Sequence, residues 1–226
     1  MKHEAPQQTP TTQKHQVRAN PAKNIATRLL RHLFGVSLYT VAKRGDIDEV
    51  RALLNTEVNI DARGGEYGNA LQVASLRGRE AVVRLLLEKG AEVNAQGGNF
   101  GNALGAASIG GHEAVVRLLL EKGADVNAQG GYCGNALQGA SFAGYEAVVR
   151  LLLEKGAEVN AQGGEFGNAL QGASFHRHEA VVRLLLEKGA DVNAQGGAYR
   201  NALRAASRNR NKSAVVELLL KNGASR

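Results

Sequence analysis

The residues of this chain that could do chemistry are few, and their spacing argues against it. Cys133 is the single cysteine. A thiol nucleophile needs a histidine base and a residue to orient it, and no such His and Asn pattern accompanies Cys133. His176 and His178 are two apart and could share a metal, yet no cysteine stands near them and the adjacent Glu179 belongs to the repeated helix start shared with Glu80, Glu113 and Glu146. Gly97-Gly98-Asn99-Phe100-Gly101 is glycine-rich but lacks the Lys-Ser/Thr ending of a phosphate-binding loop. No Gly-x-Ser-x-Gly elbow occurs. Glu88, Glu121, Glu154 and Glu187 recur at a fixed interval, which describes a solvated helix face and not an acid–base pair. A catalyst would break that regularity with a polar cluster, and none does. The expectation is a non-enzyme with no catalytic residue, no cofactor and no metal.

A unit repeated every 33 residues positions these side chains. Glu-Ala-Val-Val-Arg-Leu-Leu-Leu-Glu-Lys-Gly-Ala-(Asp/Glu)-Val-Asn-Ala-Gln-Gly-Gly begins at Glu80, Glu113, Glu146 and Glu179, with only the bracketed acid changing. Gly-Asn-Ala-Leu recurs at Gly68, Gly101, Gly134 and Gly167. Such self-similarity means a stack of small units that cannot each bury a core alone. Val82, Val83, Leu85, Leu86 and Leu87 give a broad apolar stripe at helical spacing from Glu80 to Lys89. Gly90 supplies the left-handed residue that stops this helix. A shorter inner helix, about 69–76, carries the small side chains Ala70, Ala74 and Ser75, which allow close approach to the next unit. Aligning the chain on this frame gives units at 30–62, 63–95, 96–128, 129–161, 162–194 and 195–226, preceded by an extension over 1–29. The first unit is degenerate at Asp46, Asp48, Glu49 and Glu57, and the last turns polar at Arg204, Arg208, Asn209, Asn211 and Lys212. Terminal units with polar outer faces are what a stack needs. At the inter-helix turn Gly45, Gly78, Gly111 and Gly144 give way to Arg177 and then Asn211. Left-handed backbone at Arg177 costs on the order of 1 kcal/mol, so the fifth unit is expected to be the softest.

Units reading Gly-Asn-Ala-Leu-Gln, Gly-His-Glu-Ala-Val-Val-Arg-Leu-Leu-Leu and Gly-Ala-Asp-Val-Asn-Ala resemble ankyrin repeats over about residues 35–226. The resemblance implies an all-α solenoid of helix-turn-helix units joined by hairpin-like loops, about six of them with caps, used as a protein-interaction module. It also implies that His112 and His178 are framework histidines bonded to backbone at the turn. Asn69-Ala70-Leu71-Gln72 stands where the family usually has Thr-Pro-Leu-His. With the Gly-Gly loop and the near-identical copies, this is similar to fungal arrays often attached to NACHT-type immune receptors.

Charge is concentrated at one end. Residues 1–44 hold eight basic groups against Glu4, and the remaining 182 hold 20 basic and 20 acidic groups. A neutral array exerts no bulk pull on phosphate backbones, so it is not expected to bind nucleic acid. The polar, Pro-bearing stretch to Ala22 reads as disordered. Ile25, Leu29, Leu30 and Leu33 then share one helical face, which suits a cap on the first unit. A mitochondrial-type presequence and contact with acidic partners or anionic lipid are the competing readings of this tail. No apolar run approaches the roughly 20 residues of a membrane span, and a single cysteine fits a reducing compartment. The expectation is a monomeric, cytoplasmic protein.

What breaks the repeat is the signal for function. The loop-tip column reads Glu66, Asn99, Tyr132, Glu165, Ala198. The columns closing the inner helix read Leu76-Arg77, Ile109-Gly110, Phe142-Ala143, Phe175-His176 and Arg208-Asn209, and one column after the turn reads Arg79, His112, Tyr145, His178. In ankyrin-like proteins loop tips and inner-helix ends line the concave groove, so the resemblance makes Glu66, Leu76, Arg77, Asn99, Ile109, Tyr132, Phe142, Tyr145, Glu165, Phe175, His176 and Arg208 the partner-binding candidates. Tyr132, Phe142, Tyr145 and Phe175 are expected to be exposed aromatic anchors. The regular column Tyr67, Phe100, Cys133, Phe166, Tyr199 is expected to pack loop on loop. The partner is an unidentified protein; a fragment of a larger receptor and an adaptor or inhibitor of an enzyme are the rival readings.

Overall fold

A computed structural model describes residues 37–208 and 213–225. The amphipathic segment at 24–33, the tail before it and the turn residues Asn209, Asn211 and Lys212 lie outside the described residues. Among the described residues twelve helices form six pairs: α1 (Leu38–Arg44) and α2 (Ile47–Leu54), α3 (Ala70–Leu76) and α4 (Glu80–Glu88), α5 (Ala103–Ile109) and α6 (Glu113–Glu121), α7 (Ala136–Ala143) and α8 (Glu146–Glu154), α9 (Ala169–His176) and α10 (Glu179–Glu187), α11 (Ala202–Ser207) and α12 (Ala214–Lys221). Each inner helix packs on its own outer helix and on the inner helices of adjacent pairs, and the outer helices form a second layer.

Asparagine starts every inner helix from α3 onward. Asn69, Asn102, Asn135, Asn168 and Asn201 are N-caps whose side chains accept from the N–H three residues on, the geometry worth about 1 kcal/mol per helix. Gln72 and Gln138 complete capping boxes by accepting from the Asn69 and Asn135 N–H. Their amide ends also reach forward. Gln72 Nε2 donates to Ala95 O at 2.9 Å, and Gln138 Nε2 to Ala161 O at 3.0 Å. Where Gly105 replaces this glutamine, the Asn102 N–H donates instead to Phe100 O at 2.9 Å, so the loop backbone assumes the side chain's role.

The core is the repeated stripe. Val82, Val83, Leu85 and Leu86 are buried, as are their equivalents in α6, α8 and α10, each side chain contributing about 1.5–3 kcal/mol. A second Asn column ties one unit to the next: Asn94 donates to Gly123 O at 3.0 Å and accepts from the Asp125 N–H at 2.9 Å. Asn127, Asn160 and Asn193 repeat this with Gly156, Gly189 and Gly223. Glu80–Arg84, Glu113–Arg117, Glu146–Arg150 and Glu179–Arg183 pair one turn apart on the outer helices; such exposed pairs contribute a few tenths of a kcal/mol.

Arg177 lies in the left-handed region, φ 60° and ψ 37°, as its alignment with the turn glycines requires. Arg200 joins it at φ 69°. That second site was not anticipated, although the column Gly68, Gly101, Gly134, Gly167 leads directly to Arg200 and each of those glycines has positive φ.

Candidate functional site

The variable columns meet in space because the loops form a ladder. The Asn99 N–H donates to Glu66 O at 2.9 Å, Tyr132 to Asn99 O at 2.8 Å, Glu165 to Tyr132 O at 3.1 Å and Ala198 to Glu165 O at 2.9 Å. Five successive loop tips are thus joined through main-chain atoms, and the side chains of all five are exposed. Neighbouring tips also interact: the Tyr132 hydroxyl bonds the Glu165 carboxylate, which raises the phenol to about 12, with burial a smaller cause.

Behind the tips runs the regular aromatic column. Tyr67 and Phe100 stack with ring centroids 5.8 Å apart, and Phe166 and Tyr199 stack at 6.2 Å. Cys133 and Phe166 are buried, as loop-to-loop packing demands. Burial, with the nearby Glu165 charge, pushes the Cys133 thiol up to about 11, so it carries no thiolate at neutral pH.

The inner-helix ends lean on this column, and here the sequence-based expectation needs correction. Phe142 and Phe175 are half-buried, not exposed anchors. Phe142 lies 4.7 Å from the Phe166 ring and over Gly172 of the next inner helix, where an added methyl would sit 3.5 Å from Phe142 Cβ. Phe175 lies 5.3 Å from Phe166 and 4.8 Å from Tyr199. Leu76 and Ile109 are half-buried as well. Glycine or alanine in the following helix leaves space for these side chains to lie down onto the next unit, a cue present in Gly139 and Gly172. Arg77, His176 and Arg208 remain exposed. His176 meets Phe142 and Phe175 edge-on at 4.4 and 4.8 Å; burial, then the neighbouring His178, pushes its imidazole below the usual histidine range. The Arg208 guanidinium lies over Phe175 at 5.1 Å and Tyr199 at 5.9 Å.

The column after the turn is structural in origin. His112 Nε2 is 3.0 Å from Leu76 O, and His178 Nε2 is 3.0 Å from Phe142 O, as framework histidines should be. Their rings lie against the preceding turn glycine: a methyl on Gly78 would come within 2.5 Å of His112 Nδ1, and one on Gly111 within 2.5 Å of the Tyr145 ring. Tyr145 therefore occupies the framework-histidine place, although 43% of it stays exposed. It is less individual than the loop tips.

A wider hollow of about 560 Å³ lies elsewhere, between the outer helices, and is lined by Glu113, Arg117, Glu146 and Arg150 among others. Its ion pairs are satisfied and identical from unit to unit, so it offers nothing for a particular partner to read. No group of three or more metal-ligating side chains occurs among the described residues. No described helix is long and apolar enough to cross a membrane.

Sequence comparison decides the family. The signature of the family described as ankyrin repeats (3 copies) matches residues 20–97, 96–163 and 135–196. The chain belongs to the ankyrin-repeat family. Among solved structures, the crystal structure of the human ASB11 ankyrin repeat domain is similar, with a TM-score of 0.73 and 28% identity over 84% of this chain and 85% of that one. No curated protein matches the sequence. Ankyrin arrays are protein-interaction scaffolds, typically without catalysis.

Proposed function

We propose that this ankyrin array binds a protein partner along the concave groove fronted by its loop tips and inner-helix ends, acting as a monomer in the reducing cytoplasm. The observation that carries the reading is the meeting of individualised columns. Glu66, Asn99, Tyr132 and Glu165 change from each unit to the next yet are held by an unvarying backbone ladder. The aromatic contacts of Phe142, Phe166, Phe175 and Tyr199 run directly behind units four to six. A surface ordered in advance loses little conformational entropy on binding, so its contacts convert efficiently into affinity. Tyr132, half-exposed, is the leading anchor, with Glu66, Arg77, Asn99, Glu165, His176 and Arg208 as polar contacts. Leu76, Ile109, Phe142 and Phe175 form the apolar floor, and Tyr145 flanks it.

Affinity capture from a native extract tests this, comparing the full chain with the Tyr132→Ala/Glu165→Ala variant. Loss of a specific captured protein with little change in thermal midpoint is expected. Undiminished capture overturns the assignment of the surface.

A further inference from the structure

The neutrality of the array conceals a division of charge. Residues 45–194 hold 13 basic and 19 acidic groups, whereas residues 195–226 hold seven basic groups and one acid, Glu217. One end of the array is therefore cationic against an anionic body. Within the described residues Arg200, Arg204 and Arg208 are exposed on the last unit, and none of them belongs to a described ion pair. Arg204 and Arg208 are one turn apart at the end of α11. Like charges at that spacing destabilise a helix unless an anion neutralises them. Beside them is a crevice of about 190 Å³ lined by Phe175, His176, Arg177, Ala205, Ala206 and Arg208. The Arg208 guanidinium is steadied there over two aromatic rings, with Nη1 3.4 Å from the Tyr199 hydroxyl. A planar cation held in place, at the mouth of a mostly polar crevice that His176 and Arg177 also line, suits a carboxylate.

Resting on the surface assigned above, we propose that units five and six receive an acidic linear segment of the partner protein, its carboxylates on Arg204 and Arg208 beside the Phe175 crevice. A single-stranded nucleic acid fits less well. Base stacking needs open ring faces, and Arg208 already covers Phe175 and Tyr199. The acidic body would also repel a phosphate chain long enough to track along the ladder beyond units five and six.

The test titrates the full chain with a dye-labelled synthetic glutamate-rich peptide, and with its lysine-rich counterpart. Saturable binding of the glutamate peptide alone is expected. Arg204→Glu/Arg208→Glu should weaken it by about tenfold or more, and Arg18→Gln/Lys23→Gln in the basic tail should not. Rising ionic strength should weaken the wild-type complex, a check that needs no variant. Four results overturn the proposal: undiminished binding by the Arg204/Arg208 variant, loss through the tail variant, indifference to salt, or displacement of the peptide by a homopolymeric single-stranded RNA that binds more tightly. In each case the wider surface still stands if Tyr132→Ala/Glu165→Ala loses its captured protein.

Discussion

The ring of Phe142 lies 4.7 Å from that of Phe166, one unit further along the chain. A side chain that varies between units is thereby also part of the joint between two of them. Phe142→Ala should cost about 2 kcal/mol, below the range for a fully buried ring, whereas Tyr132→Ala should cost under about 1 kcal/mol. Denaturant midpoints at unchanged slope would check the ordering. Equal losses would mean that Phe142 does not support the joint.

Two arginines hold backbone that glycine adopts in the other units. Arg177→Gly and Arg200→Gly should each stabilise the array by up to about 1 kcal/mol, because left-handed residues with a Cβ are strained. Slower amide exchange in α9 to α11 is the expected readout. Faster exchange in both variants would show that the arginine side chains contribute more than their backbones lose.

Tyr132 should resist ionisation until about pH 12. Its folded value lies above the ordinary phenol value, so the hydrogen bond to Glu165 supports the fold below about pH 10. That support is lost as pH rises through about 12. Glu165→Gln should bring the ionisation down towards the ordinary value, followed by phenolate absorbance. A titration unmoved by that substitution would rule out the Tyr132–Glu165 bond.

Asn127→Ala removes the donor to Gly156 O and the acceptor for the Glu158 N–H. A loss of about 1–2 kcal/mol is expected. Because each unit rests only on its neighbours, the unfolding transition should broaden as the array begins to separate at that joint. A loss with undiminished cooperativity would show that the remaining contacts carry the coupling.

The fold was legible because it is written in periodicity: Val82 to Leu87 could only be a buried helical stripe, and Gly90 could only end it. Arg177 was readable for the same reason, since its column elsewhere holds glycine, and Arg200 could have been found by that comparison. The surface was harder to read. Whether Phe142 points outward or lies over Gly172 depends on how far one inner helix is displaced from the next, and no residue type encodes that distance. Tyr145 is exposed as expected, but its place against Gly111, shared with His112 and His178, was not legible because those contacts cross unit boundaries.

Since the ladder through Asn99, Tyr132 and Glu165 is made of peptide groups, any two consecutive tips make the same main-chain joint whatever side chains they carry. Excising or duplicating one stretch of 33 residues in frame would re-form the seam and change the length of the front in whole notches. Unequal recombination between such nearly identical stretches could re-edit which tips stand side by side while keeping the repeated valine and leucine core.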